Sequence, residues 1–317
     1  MTFCPFCGSK AIRKGIRKNK HRIIQKYFCK TCKRFFTDQP LLQSSKTYNL
    51  KTILNSISNY NLGKPLRKQS IPKSTIHNWI KNINLPMHRL RRQITKNPIK
   101  KQRFIHHKQP FLYQYHKLKL QFAKKFPKLI NYLRTLNKIL PSFENTDRIS
   151  QISKLKEIPT TLARARRGLP PSGCRVGRRP SEANDVVGIS EFKTNTNLIQ
   201  KQNYTTKLAN IALQITNNNK ERHNIIENFM LINDTATIAT EIPIYLKEQN
   251  LTGHIDILQI RYHKIYILDY KPEPFNKDQA ITQLLLYRKA LCNITKIPEY
   301  KLRLAFFNHK AYYELSV

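Results

Sequence analysis

The residues with the clearest chemical potential lie near the C-terminus, in Gly253-His254-Ile255-Asp256-Ile257-Leu258 and Lys264-Ile265-Tyr266-Ile267-Leu268-Asp269-Tyr270-Lys271. The pattern predicts two strands joined by the polar turn Arg261-Tyr262-His263. Strand residues two apart share a face, so Asp269 and Lys271 project together. A register that sets Asp256 beside them makes a carboxylate pair with an adjacent ammonium. Such a trio can hold a hard divalent cation and orient a water for attack on phosphate.

The elements around the trio are expected to form an α/β unit. Residues 203–231 read as mainly helical, with His223 and Glu227 one turn apart. A strand from Ile238 to Leu246 carries Glu241, a helix spans Lys277 to Leu291, and a last strand runs from Lys301 to Asn308. Gln283 and Tyr287 stand at i and i+4 and so share a helix face.

This order resembles the PD-(D/E)XK, or restriction-endonuclease-like, nuclease superfamily, in particular its exonuclease-type branch. The matching residues are Gly253-x-x-Asp256, Asp269-x-Lys271 after an apolar strand, and Gln283-x-x-x-Tyr287 on the next helix. The resemblance implies a mixed sheet flanked by helices, with Asp256, Asp269 and the Tyr270 carbonyl as ligands to Mg²⁺ or Mn²⁺. It implies that Lys271 positions the attacking water and that Glu227 or Glu241 supplies a further acid. Gln283 and Tyr287 would steady the site or touch the substrate backbone. Asp269 stands where Glu is commoner in that family.

Nearer the N-terminus, Cys4-x-x-Cys7 and Cys29-x-x-Cys32 are two knuckles separated by 21 residues. Two thiolates from each complete a tetrahedron around structural Zn²⁺. Ile12 to Ile16, Ile24 to Phe28 and Phe35-Phe36 read as the ribbon's strands. The segment resembles the N-terminal zinc ribbons of insertion-sequence transposases. From Tyr48 the period becomes helical, with Leu50, Ile53, Leu54 and Ile57 on one face. After Pro72, Ser74 or Thr75 is expected to cap a second helix that buries Ile76, Trp79, Ile80 and Ile83. Its outer face presents Lys73, His77, Asn78 and Lys81, and the pair resembles the helix-turn-helix of the same transposases. Arg89, Arg91 and Arg92 extend that basic surface toward phosphate.

The expected organisation is multidomain: a zinc ribbon (1–40), a helix-turn-helix DNA-binding unit (45–86), a basic helical region (87–160), a Gly/Arg-rich linker or insertion (161–192) and a nuclease-like domain (193–317). The third assignment rests on an apolar stripe through Leu112, Tyr115, Leu118, Phe122, Phe126, Ile130, Leu133, Leu136 and Leu140. The fourth rests on Gly168, Gly173, Gly177 and Gly188 lying among Arg164, Arg166, Arg167, Arg175, Arg178 and Arg179. Across 317 residues, 58 Lys and Arg against 18 Asp and Glu give a formal charge of +40. That excess favours a polyanionic partner, here double-stranded DNA, and the spread of basic residues along the whole chain argues against a membrane-surface protein. Hydrophobic residues at 40% argue against a disordered basic tail. With no run of about 18 apolar residues, a membrane span is not expected, and an intracellular, nucleoid-associated location is. The competing expectation is a DNA-binding regulator or mobile-element accessory protein whose nuclease-like domain is inactive.

Overall fold

The computed structural model describes residues 9–19, 22–37, 48–83, 98–106, 109–136, 147–150, 197–201, 203–215, 218 and 221–316. Cys4, Cys7, Arg89, Arg91, Arg92 and the 161–192 interval therefore lie outside the described residues. Strands β1 (Ala11–Asn19), β2 (Arg22–Cys29) and β3 (Phe35–Thr37) form a small antiparallel sheet. Cys29 is buried, and Cys32 follows in a turn closed by Cys29 N donating to Arg34 O at 3.0 Å.

Helix α1 (Leu50–Asn61) forms where the apolar residues recur at helical spacing. Its N-cap Asn49 accepts from Thr52 N at 2.8 Å, and Gly63, at φ +92°, supplies the left-handed exit. Helix α2 (Lys73–Ile83) begins directly after Pro72, so Ser74 and Thr75 lie inside the first turn and not at the cap. Pro72 O accepts the first helical bond from Ile76 N at 3.2 Å, so Pro72 itself holds the N-cap position ahead of both expected hydroxyl caps. Trp79 is half-buried, edge-on to Tyr48 at 5.3 Å between centroids.

The 87–160 region departs from the sequence reading. Strands β4 (Ile99–His106) and β5 (Gln109–His116) form a hairpin, and among the described residues of that region α3 (Pro127–Thr135) is the one α-helix. The apolar stripe had merged two periods. Leu112 and Tyr115 of that stripe belong to β5, whose aromatics Phe111, Tyr113 and Tyr115 pack well on a pleated surface. Leu129 and Leu133 belong to α3. Edge pairing to the main sheet overrode the accidental helical spacing.

Further elements are β6 (Asp147–Arg148), β7 (Asn197–Lys201), α4 (Tyr204–Leu213), α5 (Arg222–Asn233), β8 (Thr237–Leu246), β9 (Leu251–Arg261), β10 (Lys264–Tyr270), α6 (Lys277–Thr295), β11 (Leu302–Phe307) and β12 (Tyr312–Ser316). The large sheet runs β4-β5-β8-β9-β10-β11-β12-β7, with β6 pairing β9. β10 and β11 are parallel, as the α6 crossover between them permits, and the other neighbours along that order are antiparallel. The β9–β10 turn is two residues, Tyr262 at φ +48° and His263 at φ +60°, with Arg261 inside the strand. Positive φ at both positions matches the twist of a tight hairpin.

Helices cover both faces of the sheet. Leu284, Leu291, Leu129 and Leu133, from α6 and α3, pack with Ile265 and Ile267. On the other face Leu208, Ile226 and Met230, from α4 and α5, pack with Leu268 and Tyr270. Ile53, Ile57, Ile76 and Ile80, from α1 and α2, belong to that same core. Asn61 donates to Asn233 Oδ1 at 2.8 Å, and Asn233 donates to Ser58 Oγ at 3.0 Å. The α1–α2 pair is thus fastened to α5, and the sheet draws strands from both sides of the 161–192 interval. Among the described residues, no helix is long and apolar enough to cross a membrane.

Candidate active site

Alternation along β10 puts Ile265, Ile267 and Asp269 on one face, beneath α6. The strand register pairs Ile267 with Leu258 and Leu268 with Ile257. One step further, Asp269 lies opposite Asp256. On the other side of β9, Thr240 pairs Ile257 and Ile242 pairs Ile255, which sets Glu241 opposite Asp256. Three acids therefore form a row across three neighbouring strands. Glu241 holds φ +52° within its strand, a left-handed conformation that costs a non-glycine residue roughly 1–2 kcal/mol.

Helix α5 adds Glu227 and His223. Nδ1 of His223 lies 3.6 Å from Asp256 Oδ2 and 4.0 Å from Glu227 Oε1. One ligand atom from each of these three residues falls within 4.8 Å of the others. Glu227 Oε1 is buried without a hydrogen-bond partner. A buried, unpaired carboxylate oxygen facing other acids suits a cation.

Lys271 Nζ sits 2.8 Å from Asp269 Oδ2 and donates to Gln283 Oε1 at 2.8 Å. Gln283 Nε2 in turn donates to Tyr287 OH at 2.6 Å, across one turn of α6. Tyr270 N donates to Asp256 Oδ2 at 2.9 Å. Asn276 caps α6 by accepting from Asp278 N and Gln279 N, which pins the helix start near the end of β10. Gly253 explains the first glycine of the motif. A Cβ there would lie 2.8 Å from Tyr287 Cε1 and 3.4 Å from Ile149, so only glycine lets the tyrosine ring approach.

The acids raise one another's proton affinity. Burial, then the Asp256 charge, pushes Glu241 up to about 8. Burial, again followed by Asp256, pushes Asp269 up to about 7, although Lys271 pulls it down. Burial raises Asp256, against the pull of Lys271 and the Tyr270 amide. Burial and the Glu241 and Asp256 charges hold Glu227 well above the carboxylate range. Burial opposes the Lys271 charge, but Asp269 and Asp256 outweigh it and the ammonium is favoured. Burial depresses His223, leaving a neutral imidazole with a lone pair available. The group is short of positive charge, and its hard oxygen donors with one nitrogen fit a magnesium- or manganese-class ion.

These groups line a cavity of about 250 Å³ that contains Asp256, Asp269, Lys271, Glu241, His223, Gln283 and Tyr287. The rest of its lining includes Phe111, Arg148 and His254, from β5, β6 and β9. Of the expected site residues, Asp256, Asp269, Lys271, Glu227, Glu241, Gln283 and Tyr287 come together, and Tyr270 contributes its backbone. His223 was missing from the expected set, although its i, i+4 spacing to Glu227 was a visible signal. The Phe111 wall was hidden because β5 had been read as helix. Lys73, His77, Asn78 and Lys81 are exposed on α2 and lie outside this cavity. No protein-family model, curated protein or solved structure matches the chain.

Proposed function

We propose that the chain is a DNA-binding, divalent-metal-dependent nuclease of the PD-(D/E)XK type that hydrolyses phosphodiester bonds. The observation that carries this reading is the meeting of Lys271 with Asp269, Asp256 and Glu241 at one cavity. Asp256, Asp269 and the Tyr270 carbonyl would hold Mg²⁺ or Mn²⁺, with Glu227 and His223 as further donors. A bound ion would supply charge neutralisation at the phosphate and a more acidic water.

The protein's own groups carry the remaining tasks. Lys271 keeps its proton beside Asp269, so it acts as a fixed positive charge against the developing phosphorane and orients the attacking water. Gln283, itself fixed by Tyr287, limits the ammonium to a narrow arc. Glu241, with its raised proton affinity, suits uptake of the water proton near neutral pH.

The exposed Lys73, His77, Asn78 and Lys81 on α2 support a duplex-holding surface, and the sequence that follows adds the charges of Arg89, Arg91 and Arg92. Cys29 and Cys32, with Cys4 and Cys7, would bind structural Zn²⁺ and complete a zinc ribbon. Thiols kept for zinc fit an intracellular, nucleoid-associated protein. The test is plasmid nicking in Mg²⁺ or Mn²⁺ by the full chain, beside Asp269→Ala and Lys271→Ala. The reading expects nicking by wild type and a loss of about 100-fold or more in each variant. Equal nicking by all three, or none by wild type, would overturn it.

A further inference from the structure

The cavity lining beside the acids differs in chemistry from the rest of the core. Phe111 and His254 pack with ring centroids 3.9 Å apart at a 36° tilt. Phe104, the cross-strand partner of Phe111, lies 5.7 Å from it at 19°. His106 is buried, meets His254 Nε2 at 3.0 Å through Nδ1 and meets Thr252 Oγ1 at 2.7 Å through Nε2. The ring nitrogens are therefore paired within the wall, which lowers the cost of burying two imidazoles.

Position relates this wall to the acids. His254 and Asp256 are two residues apart on β9, hence on one face and about 6.6 Å apart along the strand. The same cavity takes in both. The β4–β5 hairpin also separates its chemistry by face: Phe104 and His106 turn inward, while Lys101 and Arg103 are exposed. At the rim, Arg148 donates to Gln109 Oε1 at 3.0 Å. Aromatic rings beside a phosphate-handling centre, with cations around the rim, are the elements of a single-strand site.

We infer that Phe111 and His254 form a stacking subsite for one unpaired nucleobase next to the phosphate being cleaved, so that the site accepts single-stranded nucleic acid or a frayed end. This rests on the nuclease reading for its placement, and its test is separable from that reading. Stacking does not depend on base identity, so the subsite prefers a base over no base and not one base over another.

The experiment measures binding of the full chain to labelled oligo(dT) and to an abasic oligomer of equal length, by anisotropy in Ca²⁺ at about 0.2 M salt to limit phosphate-only binding. The expected result is a preference of about 5- to 150-fold for oligo(dT), which collapses in Phe111→Ala and persists in Phe111→Trp. A second readout covers misfolding of the alanine variant. In Phe111→Trp, made in a Trp79→Phe background, oligo(dT) should quench the new fluorescence and the abasic oligomer should not. No wild-type preference, an unchanged preference in Phe111→Ala, or no selective quenching would overturn the inference. A base preference without Mn²⁺-dependent cleavage would instead sink the nuclease reading and leave the subsite standing.

Discussion

Replacing Asp269 with Asn should make the metal-free protein more stable at pH 8 and remove most of its stabilisation by Mn²⁺. Asp269 is 1% exposed, and its proton affinity rises from 3.8 to about 7. At 1.36 kcal/mol per unit, that difference of about three units corresponds to about 4 kcal/mol. The sign follows from linkage. Between pH 4 and 7 the folded acid holds its proton while the unfolded one has released it, so stability falls as pH rises through that window. Glu241, pushed up to about 8, extends the fall toward pH 8. The four acids share protons, so removing one lets its neighbours ionise at lower pH, and the recovered stability should be nearer half the full figure. About 2 kcal/mol corresponds to roughly 4–8 °C for a domain of 150–250 residues. Thermal unfolding in EDTA and in Mn²⁺ at pH 5.5, 7 and 8.5 gives the readout. A metal-free wild type as stable at pH 8.5 as at 5.5, or an Asn variant with the wild-type pH slope, would refute the reasoning.

Other expectations follow from single contacts. Gly253→Ala sets a Cβ 2.8 Å from the Tyr287 ring; overpacking of that kind costs about 1–3 kcal/mol, and nicking should fall with it because Tyr287 steadies Gln283 and Lys271. An unchanged melting temperature would show that the ring is free to shift. Asn233→Ala leaves Asn61 buried without its acceptor, a loss of about 1–3 kcal/mol, read as a lower denaturation midpoint; no loss would mean that α1 is not tied to α5. Replacing the turn pair through Tyr262→Asn and His263→Gly relieves two positive-φ residues and should raise stability by about 1–2 kcal/mol, with a lower melting temperature as the contrary outcome. A metal assay on the full chain should return one Zn per chain, falling in Cys29→Ser; less than one in wild type would remove the zinc reading.

Much of the site was legible because its residues sit on strong local patterns. Period-two alternation places Asp269 with Lys271, and helical spacing places Gln283 with Tyr287, whatever the remainder of the chain does. Both strand pattern and turn position made β9 and β10 visible, and the helical period of Leu50, Ile53, Leu54 and Ile57 made α1 so. The error in 109–116 has an equally local cause. Phe111 and Tyr115 stand at i and i+4 and Leu112 and Tyr115 at i and i+3, which imitates a helix, and only pairing to a sheet edge separates the two.

Residue order by itself determined that Asp256, Asp269 and Lys271 sit on adjoining strands and that the chain carries a large basic excess, since these depend on side-chain chemistry and on neighbours a few positions away. Tertiary structure alone decided that Glu241 stands opposite Asp256, that His223 reaches the same carboxylate, and that a hairpin more than 130 residues upstream of Asp256 closes the cavity with Phe111. Strand register and helix packing set those meetings, and both are settled by burial summed over the whole core, which no short window of sequence contains.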